Sequence, residues 1–338
     1  MSPRSRFLAT PLLTSLVTTG LAVGLLAGCS KDADTGADDP DPQSISDGAT
    51  LSRISPLTGL ELTKQPDHPV LAVKVDNSSS SAPQVGVGSA DMVVEELVEG
   101  GMTRLATFFH SRVPDRVGPV RSMRATDIGI VSPLNATLVA SGGAPVTVRR
   151  VKAAGIRTVT EGAPGSYREG SRSAPYNLFM DMTRLTKPMK APTSSPPAYL
   201  PFGDQPLPTG KPARGLTATF SPASSTTFRF ERGAYTNTDS YAGEGDRFRP
   251  ATVLVLRVEV GDAGYRDPAG YPVPETKFTG RGAAMVFHGG RMVRGSWSKS
   301  GLNATVKLRT AKGPLEIPPG KVWIELVPRV GGSVTVMR

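Results

Sequence analysis

The chain of 338 residues is predicted to form an α/β N-terminal domain, a mixed sheet with helices, followed by a mainly-β C-terminal domain, a sandwich or barrel. In the first part, short β-branched runs alternate with stretches whose apolar residues have helical spacing, which is typical of α/β sheets. In the second part, short apolar runs follow one another with turn residues between them. A proline-rich stretch over 189–213 divides the two patterns and predicts a linker.

The N-terminal domain is expected over 55–188, and its first element is the run VLAVKV over 70–75, which predicts a buried strand. A helix is predicted over 90–98, because the apolar residues there are spaced for one helix face. Ser89 is a natural N-cap for this helix, and Gly100 would stop it. The remaining elements are strands over 103–111, 137–140 and 157–160 and helices over 122–131 and 146–154.

The C-terminal domain is expected over 214–338 and consists of strands. The run His288-Gly289-Gly290-Arg291 predicts a hairpin turn between two of them. The predicted strands cover 216–220, 227–231, 252–260, 284–288, 292–298, 305–310 and 321–327.

Residues 1–28 have the pattern of a lipoprotein signal peptide. Arg4 and Arg6 form the basic n-region, and an apolar h-region follows it. The run Leu26-Ala27-Gly28-Cys29 then matches a lipobox. Cys29 is the one cysteine of the chain, and it stands where this motif requires one. The alternative is an uncleaved membrane anchor with an incidental cysteine. If the lipobox is used, Cys29 carries a diacylglyceryl group, and two acyl chains anchor a protein stably in membrane lipid. We therefore expect a lipid-anchored protein on the extracytoplasmic face, in the outer leaflet of the cell membrane.

Residues 29–54 predict a disordered acidic tether, because they contain six aspartates and few apolar residues. The whole chain still has a net charge of +10, so the folded body is basic. A basic body outside the cell suits anionic partners, which include envelope glycopolymers, peptidoglycan and lipid-linked precursors. General solubility explains the charge equally well. Nucleic acid is not expected as a partner, since the compartment is wrong and no binding motif is present.

Several classes of chemistry are excluded by composition and motif. One cysteine excludes an internal disulfide and multi-cysteine metal sites, and three widely spaced histidines disfavour a histidine metal centre. The chain also lacks a P-loop, an H-E-x-x-H motif and a G-x-S-x-G motif. The sequence therefore supports no familiar catalytic centre, and whether the protein is an enzyme stays open.

Polar residues that could bind an anion concentrate in the N-terminal domain. Asp76 and Asn77 follow the first strand, where ligands bind in open α/β sheets. Arg121 and Arg124 follow a Gly-Pro turn and are expected to open a helix, which suits an anion. The alternative is a set of scattered surface arginines. The full set of predicted ligand-binding residues is Asp76, Asn77, Arg104, Arg121, Ser122, Arg124, Asp127, Arg168, Arg172 and Asn177.

A divalent cation site is a second hypothesis. Asp91, Glu95 and Glu99 would stack on one face of the helix predicted over 90–98. Together with Asp76 they supply the hard oxygen ligands that Mg²⁺ prefers. The alternative for this acidic stripe is a solvated helix face.

The sequence resembles the YerB-like lipoproteins, a bacterial family of unknown function. The resemblance covers about 55–190 most strongly and extends into the C-terminal domain. It implies a two-domain envelope lipoprotein and brings no activity or catalytic residues. The runs that carry it are Pro56–Leu60, Asp76-Asn77, Ala90-Asp91, Glu99-Gly100-Gly101-x-Thr103-Arg104, Gly118-Pro119-Val120-Arg121-Ser122-x-Arg124, Gly142-Gly143, Arg172-x-Ala174-Pro175-x-Asn177-Leu178, Gly295-x-Trp297 and Pro319-Gly320-x-x-Trp323.

A looser similarity links Asn135-Ala136, Gly142-Gly143 and Thr147-Val148 to the LytR-CpsA-Psr transferases. Those enzymes attach anionic glycopolymers to the wall from a lipid carrier and use Asp and Arg residues around a pyrophosphate and Mg²⁺. The similarity implies that Asp76 and the Arg121, Arg124 and Asp127 cluster play comparable parts, although that family's Ser-Ile-Pro-Arg-Asp run is absent. Three functions therefore stay open: an anion-binding lipoprotein, a metal-dependent phosphoryl-type transferase or hydrolase, and a structural or protein-interaction lipoprotein.

Overall fold

The structure, a computed structural model, describes residues 53–338. The predicted signal peptide, Cys29 and all but the last two residues of the predicted tether lie outside the described residues. Between residues 53 and 338, no helix has both the length and the apolar composition to cross a membrane. The described residues, 53–338, group into one compact unit.

Strands dominate the described residues, and the helices among them are short. The α-helices are α1 (Asp127–Val131), α2 (Pro145–Ala153) and α3 (Met182–Thr186), and single 3₁₀ turns cover Ser79–Ser81, Val87–Ser89, Glu99–Gly101, Ser132–Leu134 and Glu244–Asp246. The strands are β1 (Leu71–Asn77), β2 (Met92–Leu97), β3 (Thr103–Phe109), β4 (Arg116–Val117), β5 (Thr137–Val139), β6 (Thr158–Val159), β7 (Ser166–Arg168), β8 (Leu178–Asp181), β9 (Lys211–Pro212), β10 (Gly215–Ser221), β11 (Ser224–Glu231), β12 (Ala234–Asn237), β13 (Thr252–Arg266), β14 (Pro272–Lys277), β15 (Gly280–His288), β16 (Arg291–Lys299), β17 (Lys307–Thr310), β18 (Gly313–Leu315), β19 (Val322–Pro328) and β20 (Ser333–Met337).

One long mixed sheet contains strands from both sides of the proline-rich stretch. Its order is β18-β17-β16-β15-β13-β19-β2-β3-β1-β5-β6. The parallel pairing of β19 with β2, with Glu325 opposite Glu95, joins the N-terminal strands to the C-terminal ones. Both strands are almost wholly buried. Near-continuous apolar runs such as these are typical of strands covered on both faces.

Different elements pack on the two faces of the long sheet. On one face, here called the helix face, Ala72, Val94 and Ala106 belong to a core that includes residues of α1 and α2. On the other, the sandwich face, Val73, Val93 and many neighbours pack with the four-stranded sheet β12-β11-β10-β20. The predicted C-terminal sandwich is therefore present as a small sheet packed on a sheet that both halves of the chain share.

The helical content predicted for the N-terminal domain is too high. The helix expected over 90–98 is strand β2, and the helix expected over 122–131 is reduced to the five residues of α1. Apolar residues at 93, 94, 97 and 98 fit a helix face, but they fit a strand buried on both faces equally well. The helix expected over 146–154 is confirmed as α2.

The other predicted elements agree with the structure apart from their ends. The strands expected over 70–75, 103–111 and 137–140 correspond to β1, β3 and β5. Each strand predicted in the C-terminal part overlaps an observed one, and the longest, β13, runs on to Arg266. The predicted hairpin turn joins β15 and β16, where Gly289 and Gly290 have the positive φ values that this turn requires.

Candidate functional site

The candidate site lies where β1 ends and the segment 119–124 runs beside it. The backbone N–H of Asp76 donates to Pro119 O at 3.0 Å, and that of Arg121 donates to Lys74 O at 2.9 Å. Arg121 O in turn accepts from the N–H of Ser141 at 2.9 Å. The segment is irregular, so the arginines precede α1 instead of opening a helix. These bonds on both sides of Arg121 hold its backbone in one place at the strand end.

Strand pairing places a row of charged residues across the helix face. Asp76 on β1 lies opposite Arg104 on β3, and Arg104 lies opposite Glu96 on β2. Because side chains alternate along a strand, Lys74 lies on the same face as Asp76, whereas Asn77 lies on the other. The sheet register thus brings together residues that are far apart in sequence.

Three guanidinium groups meet two carboxylates at this strand end. Arg121 Nη1 donates to Asp76 Oδ2 at 2.7 Å, and Arg104 Nη2 donates to Glu99 Oε1 at 2.8 Å. Arg124 binds Glu99 with two nitrogens, Nε to Oε2 at 2.8 Å and Nη2 to Oε1. Glu99 begins the tight β2–β3 turn, in which Gly100 has a φ of 68° that disfavours other residues.

The charges of this cluster are strongly coupled. Burial alone would raise the pKa of Glu99, but the hydrogen bond from Arg124 and the charges of Arg104 and Arg124 lower it to about 2. Burial and the neighbouring charge of Arg124 lower the pKa of Arg104 to about 10. At neutral pH, therefore, Glu99 is ionised and both arginines are protonated.

A pocket of about 180 Å³ opens beside the cluster. The guanidinium of Arg121 lies 4.9 Å from the ring centroid of Tyr176, and its side chain is 17% exposed. The pocket is lined by Asp76, Val98, Glu99, Met102, Thr103, Arg104, Arg121, Tyr176 and Asp267.

Arg121 differs from its two neighbours in how many of its donors are used. Arg124 donates to both carboxylate oxygens of Glu99 and to Met123 O, and Arg104 donates to Glu99 and to Ser122 O. Within residues 53–338, the guanidinium of Arg121 donates one hydrogen bond, to Asp76. A guanidinium has five N–H donors, so Arg121 has the greatest remaining capacity to bind an anion.

Beneath the pocket lies a buried ion cluster that sequence reasoning missed in part. Lys74 Nζ lies 2.5 Å from Glu96 Oε1 and 2.8 Å from Asp127 Oδ1, and all three side chains are fully buried. Burial lowers the pKa of Lys74, but the charges of Asp127 and Glu96 outweigh it and raise the pKa overall. Asp127 Oδ2 also accepts from the N–H of Arg124 at 2.7 Å, which ties this cluster to the pocket. The available signal was a lysine inside the apolar run VLAVKV, since a buried lysine needs an anionic partner.

Other predicted ligand-binding residues have structural roles or lie elsewhere. Asn77 donates to Glu95 and Thr103 on the sandwich face. Ser122 shares a 3.3 Å hydrogen bond with Ser141. Arg168 pairs with Glu161 and donates a hydrogen bond to Asn177, so these two predicted residues bind each other. Arg172 donates to Ser81 O and Pro83 O, and its guanidinium lies over the Phe179 ring.

The four predicted metal ligands are not brought together. Asp76 and Glu99 are engaged by arginines, and Asp91 accepts from the backbone N–H groups of His110 and Ser111. Because 90–98 is not a helix, the expected stacking of Asp91, Glu95 and Glu99 on one face does not occur. In the part of the chain that the structure describes, no three His, Cys, Asp or Glu side chains could hold a metal ion.

Two buried carboxyl groups lie side by side on the sandwich face. Glu95 on β2 and Glu325 on β19 are in register, and both are fully buried. Glu95 accepts from Thr226 Oγ1 at 2.9 Å and from Asn77 Nδ2 at 3.0 Å. Burial, and then the charge of Glu95, raise the pKa of Glu325 well above its ordinary value of 4.5. We call Glu95 and Glu325 the acid pair; Glu95 was predicted to stack with Asp91 and Glu99, and Glu325 was not among the predicted site residues.

Comparison with known proteins identifies similar chains. The family described as "Protein of unknown function (DUF3048)" matches with its N-terminal domain over residues 57–195 and with its C-terminal domain over residues 216–324. The YerB protein of Bacillus subtilis (strain 168), provisionally named a lipoprotein, is 25% identical over 289 residues, which cover 81% of this chain and 86% of that protein. A crystal structure of YerB from Bacillus subtilis superposes with a TM-score of 0.69 at 21% identity and covers 83% of this chain and 99% of that one. The crystal structure supports the fold described above.

Proposed function

The chain belongs to the YerB-like lipoprotein family, and from that premise we propose that it is anchored by lipid to the extracytoplasmic face of the cell membrane. The lipobox Leu26–Cys29 supports acylation of Cys29, and the lipoprotein name of the relative agrees with it. Two acyl chains on Cys29 would hold the folded body at the membrane surface. The activity of the family is unknown, so the function must be inferred from the site.

We propose further that the pocket beside β1 binds a ligand with an anionic group. The observation that carries this proposal is the free donor capacity of Arg121 at the pocket, one bond to Asp76 in the described chain against five donors. Charge-assisted hydrogen bonds to a phosphate or carboxylate are the strong ones that arginine makes. The ligand classes that suit the expected location are an envelope glycopolymer, peptidoglycan and a lipid-linked precursor.

The charges around the pocket balance once Asp267 is counted, so the anionic group of a ligand would depend on the free donors of Arg121 more than on net charge. Three arginines face two carboxylates, Asp76 and Glu99, so the cluster retains one positive charge. Asp267 adds a carboxylate among the lining residues. Asp267→Asn, which removes this negative charge, should therefore strengthen the binding of an anion at Arg121.

Calorimetric titration of residues 50–338, the compact unit, with pyrophosphate, phosphate and muropeptides tests the proposal. Arg121→Gln should weaken binding by about tenfold or more, since a hydrogen bond to a charged group contributes about 1.5–3 kcal/mol. The matched control is Arg168→Gln, which removes an exposed guanidinium paired with Glu161. Equal losses in the two variants, or no binding of any ligand, would contradict the proposal.

The same titrations with and without Mg²⁺ address the transferase alternative. That alternative requires metal-dependent binding of pyrophosphate that Asp76→Asn abolishes. Within the described residues the geometry favours the anion site, since Asp76 already pairs with Arg121. We therefore expect binding that does not depend on Mg²⁺.

A further inference from the structure

An apolar depression adjoins the charged pocket. It has a volume of about 530 Å³ and is lined by Leu97, Val98, Gly100, Gly101, Met102, Tyr271, Pro272 and Pro274. Val98 and Met102 line both cavities, so the two lie next to each other at the β2–β3 turn. The side chain of Tyr271 is 56% exposed, which makes it one of the most exposed large apolar side chains of the described residues.

The β13–β14 hairpin turn borders both halves of this surface. Asp267 lines the charged pocket, whereas Tyr271 and Pro272 line the apolar depression. The turn is closed by its own hydrogen bonds, from Asp267 N to Tyr271 O at 2.9 Å and from Tyr271 N to Asp267 Oδ1 at 2.7 Å. The polar and apolar halves are thus held next to each other by one short turn.

We propose that this surface binds an amphiphile, with its anionic group at Arg121 and its apolar chain in the depression lined by Met102, Tyr271 and Pro274. The inference rests on the proposed function and adds the class of ligand. Its basis is that a charged pocket and an apolar depression adjoin, with Val98 and Met102 in the lining of both. A ligand with an anionic group alone would leave the apolar half unused, and a purely apolar ligand would leave Arg121 unused.

The volumes of the charged pocket and the apolar depression are suitable for an amphiphile of small-molecule size. Pockets for small molecules have volumes of roughly 300–1,000 Å³ and combine apolar walls with a few polar groups. Full burial of one methylene group improves affinity by about fourfold, and half burial in an open depression by about twofold. Lengthening an alkyl chain by several methylenes should therefore strengthen binding in a regular way.

Alkyl phosphates of increasing length, kept below the concentration at which they form micelles, test this inference on residues 50–338. Octyl phosphate should bind at least about tenfold more tightly than ethyl phosphate, and octyltrimethylammonium, which has the opposite charge, should bind weakly. Tyr271→Ser should reduce the gain from chain length and leave ethyl phosphate binding unchanged. Arg121→Gln should weaken both phosphates. The matched control for the apolar half is Val330→Ser, since Val330 is 91% exposed and lines neither cavity.

The outcomes separate the inference from the function on which it rests. If ethyl and octyl phosphate bind equally and both depend on Arg121, the amphiphile is excluded and the anion site stands. If the gain from chain length is unaffected by Tyr271→Ser, or equally reduced by Val330→Ser, the chain does not bind in this depression and the inference is wrong. If no phosphate binds, both the inference and the proposed function fail.

Discussion

The two faces of the long sheet bury carboxyl groups in opposite ways. On the helix face, Glu96 and Asp127 share the ammonium group of Lys74, and the cluster continues to the pocket arginines. On the sandwich face, the acid pair is fully buried, and Glu95 accepts hydrogen bonds from the hydroxyl of Thr226 and the amide of Asn77. A buried carboxylate must be paired with a cation or take up a proton. The comparison shows that β2, through the adjacent residues Glu95 and Glu96, uses both solutions at once.

The two faces also differ in whether a ligand can reach their charged groups. The charged groups of the helix face extend to an open pocket, so an anion arriving there would meet guanidinium groups already fixed by carboxylates. The acid pair is fully buried and lines none of the cavities described here. Ligand binding is therefore expected on the helix face, whereas the sandwich face should lose stability as pH rises through the raised pKa of Glu325.

The largest effect is expected from removing the buried cation. Lys74→Met leaves Glu96 and Asp127 without a counter-ion and should lower the free energy of unfolding by about 3–5 kcal/mol, measured by denaturant unfolding. In this variant the helix face, like the sandwich face, would bury carboxyl groups that have no lysine partner. Burial raises the pKa of Glu96, which would then need a proton in the folded state, so stability would fall as pH rises above the ordinary pKa of that carboxyl group.

The matched control for this prediction is Lys277→Met. Lys277 pairs with Glu275 at 3.1 Å and is 46% exposed, so its loss should change stability by less than about 1 kcal/mol. Adding Glu96→Gln to Lys74→Met should recover part of the lost stability, because one uncompensated carboxyl group is removed. Similar stabilities of Lys74→Met and the control would show that the buried cluster does not need its cation.

A substitution in the acid pair is expected to raise the free energy of unfolding, by less than Lys74→Met lowers it. The raised pKa of Glu325 means that the folded state holds a proton which the unfolded state releases above pH 4.5. The stability linked to this proton is present below pH 4.5 and is lost as pH rises through the raised pKa. Glu325→Gln should remove that loss and stabilise the protein at pH 8 by on the order of 1 kcal/mol.

Unfolding curves measured from pH 5 to pH 8 would check this prediction. The unmodified protein should lose stability over that range more steeply than Glu325→Gln. The control is Glu316→Gln, which neutralises an exposed carboxyl group in the same part of the chain. Parallel pH profiles for the unmodified protein and Glu325→Gln would contradict the account of the acid pair.

The sequence predicted the strands with β-branched runs, such as β1, but not β2. The residues of β2 are buried on both faces, so they lack the alternation that distinguishes a strand from a helix. The predicted metal site depended on the same helix, since Asp91, Glu95 and Glu99 come together on one face only in a helix. Strand geometry instead sends Glu95 and Glu96 to opposite faces.

The sequence predicted the charged residues of the candidate site but not the loop residues that line its pocket. Asp76, Arg104, Arg121 and Arg124 were expected to bind an anion, and the structure places them together. Tyr176 and Asp267 lie in loops whose approach to the pocket depends on packing between distant segments, which one sequence does not reveal. Glu325 was missed because its partner comes from a strand more than 200 positions away in the chain.

The most direct test of the central claim, that Arg121 binds an anion in this pocket, is a titration followed by the nuclear magnetic resonance signals of arginine Nε–H groups. The sample is ¹⁵N-labelled residues 50–338, the ligand is pyrophosphate, and Arg121→Lys assigns the signal. The account predicts a saturable shift of the Arg121 signal, while that of Arg168, paired with Glu161 outside the pocket, stays in place. An unmoved Arg121 signal, or equal shifts of both signals, would contradict it.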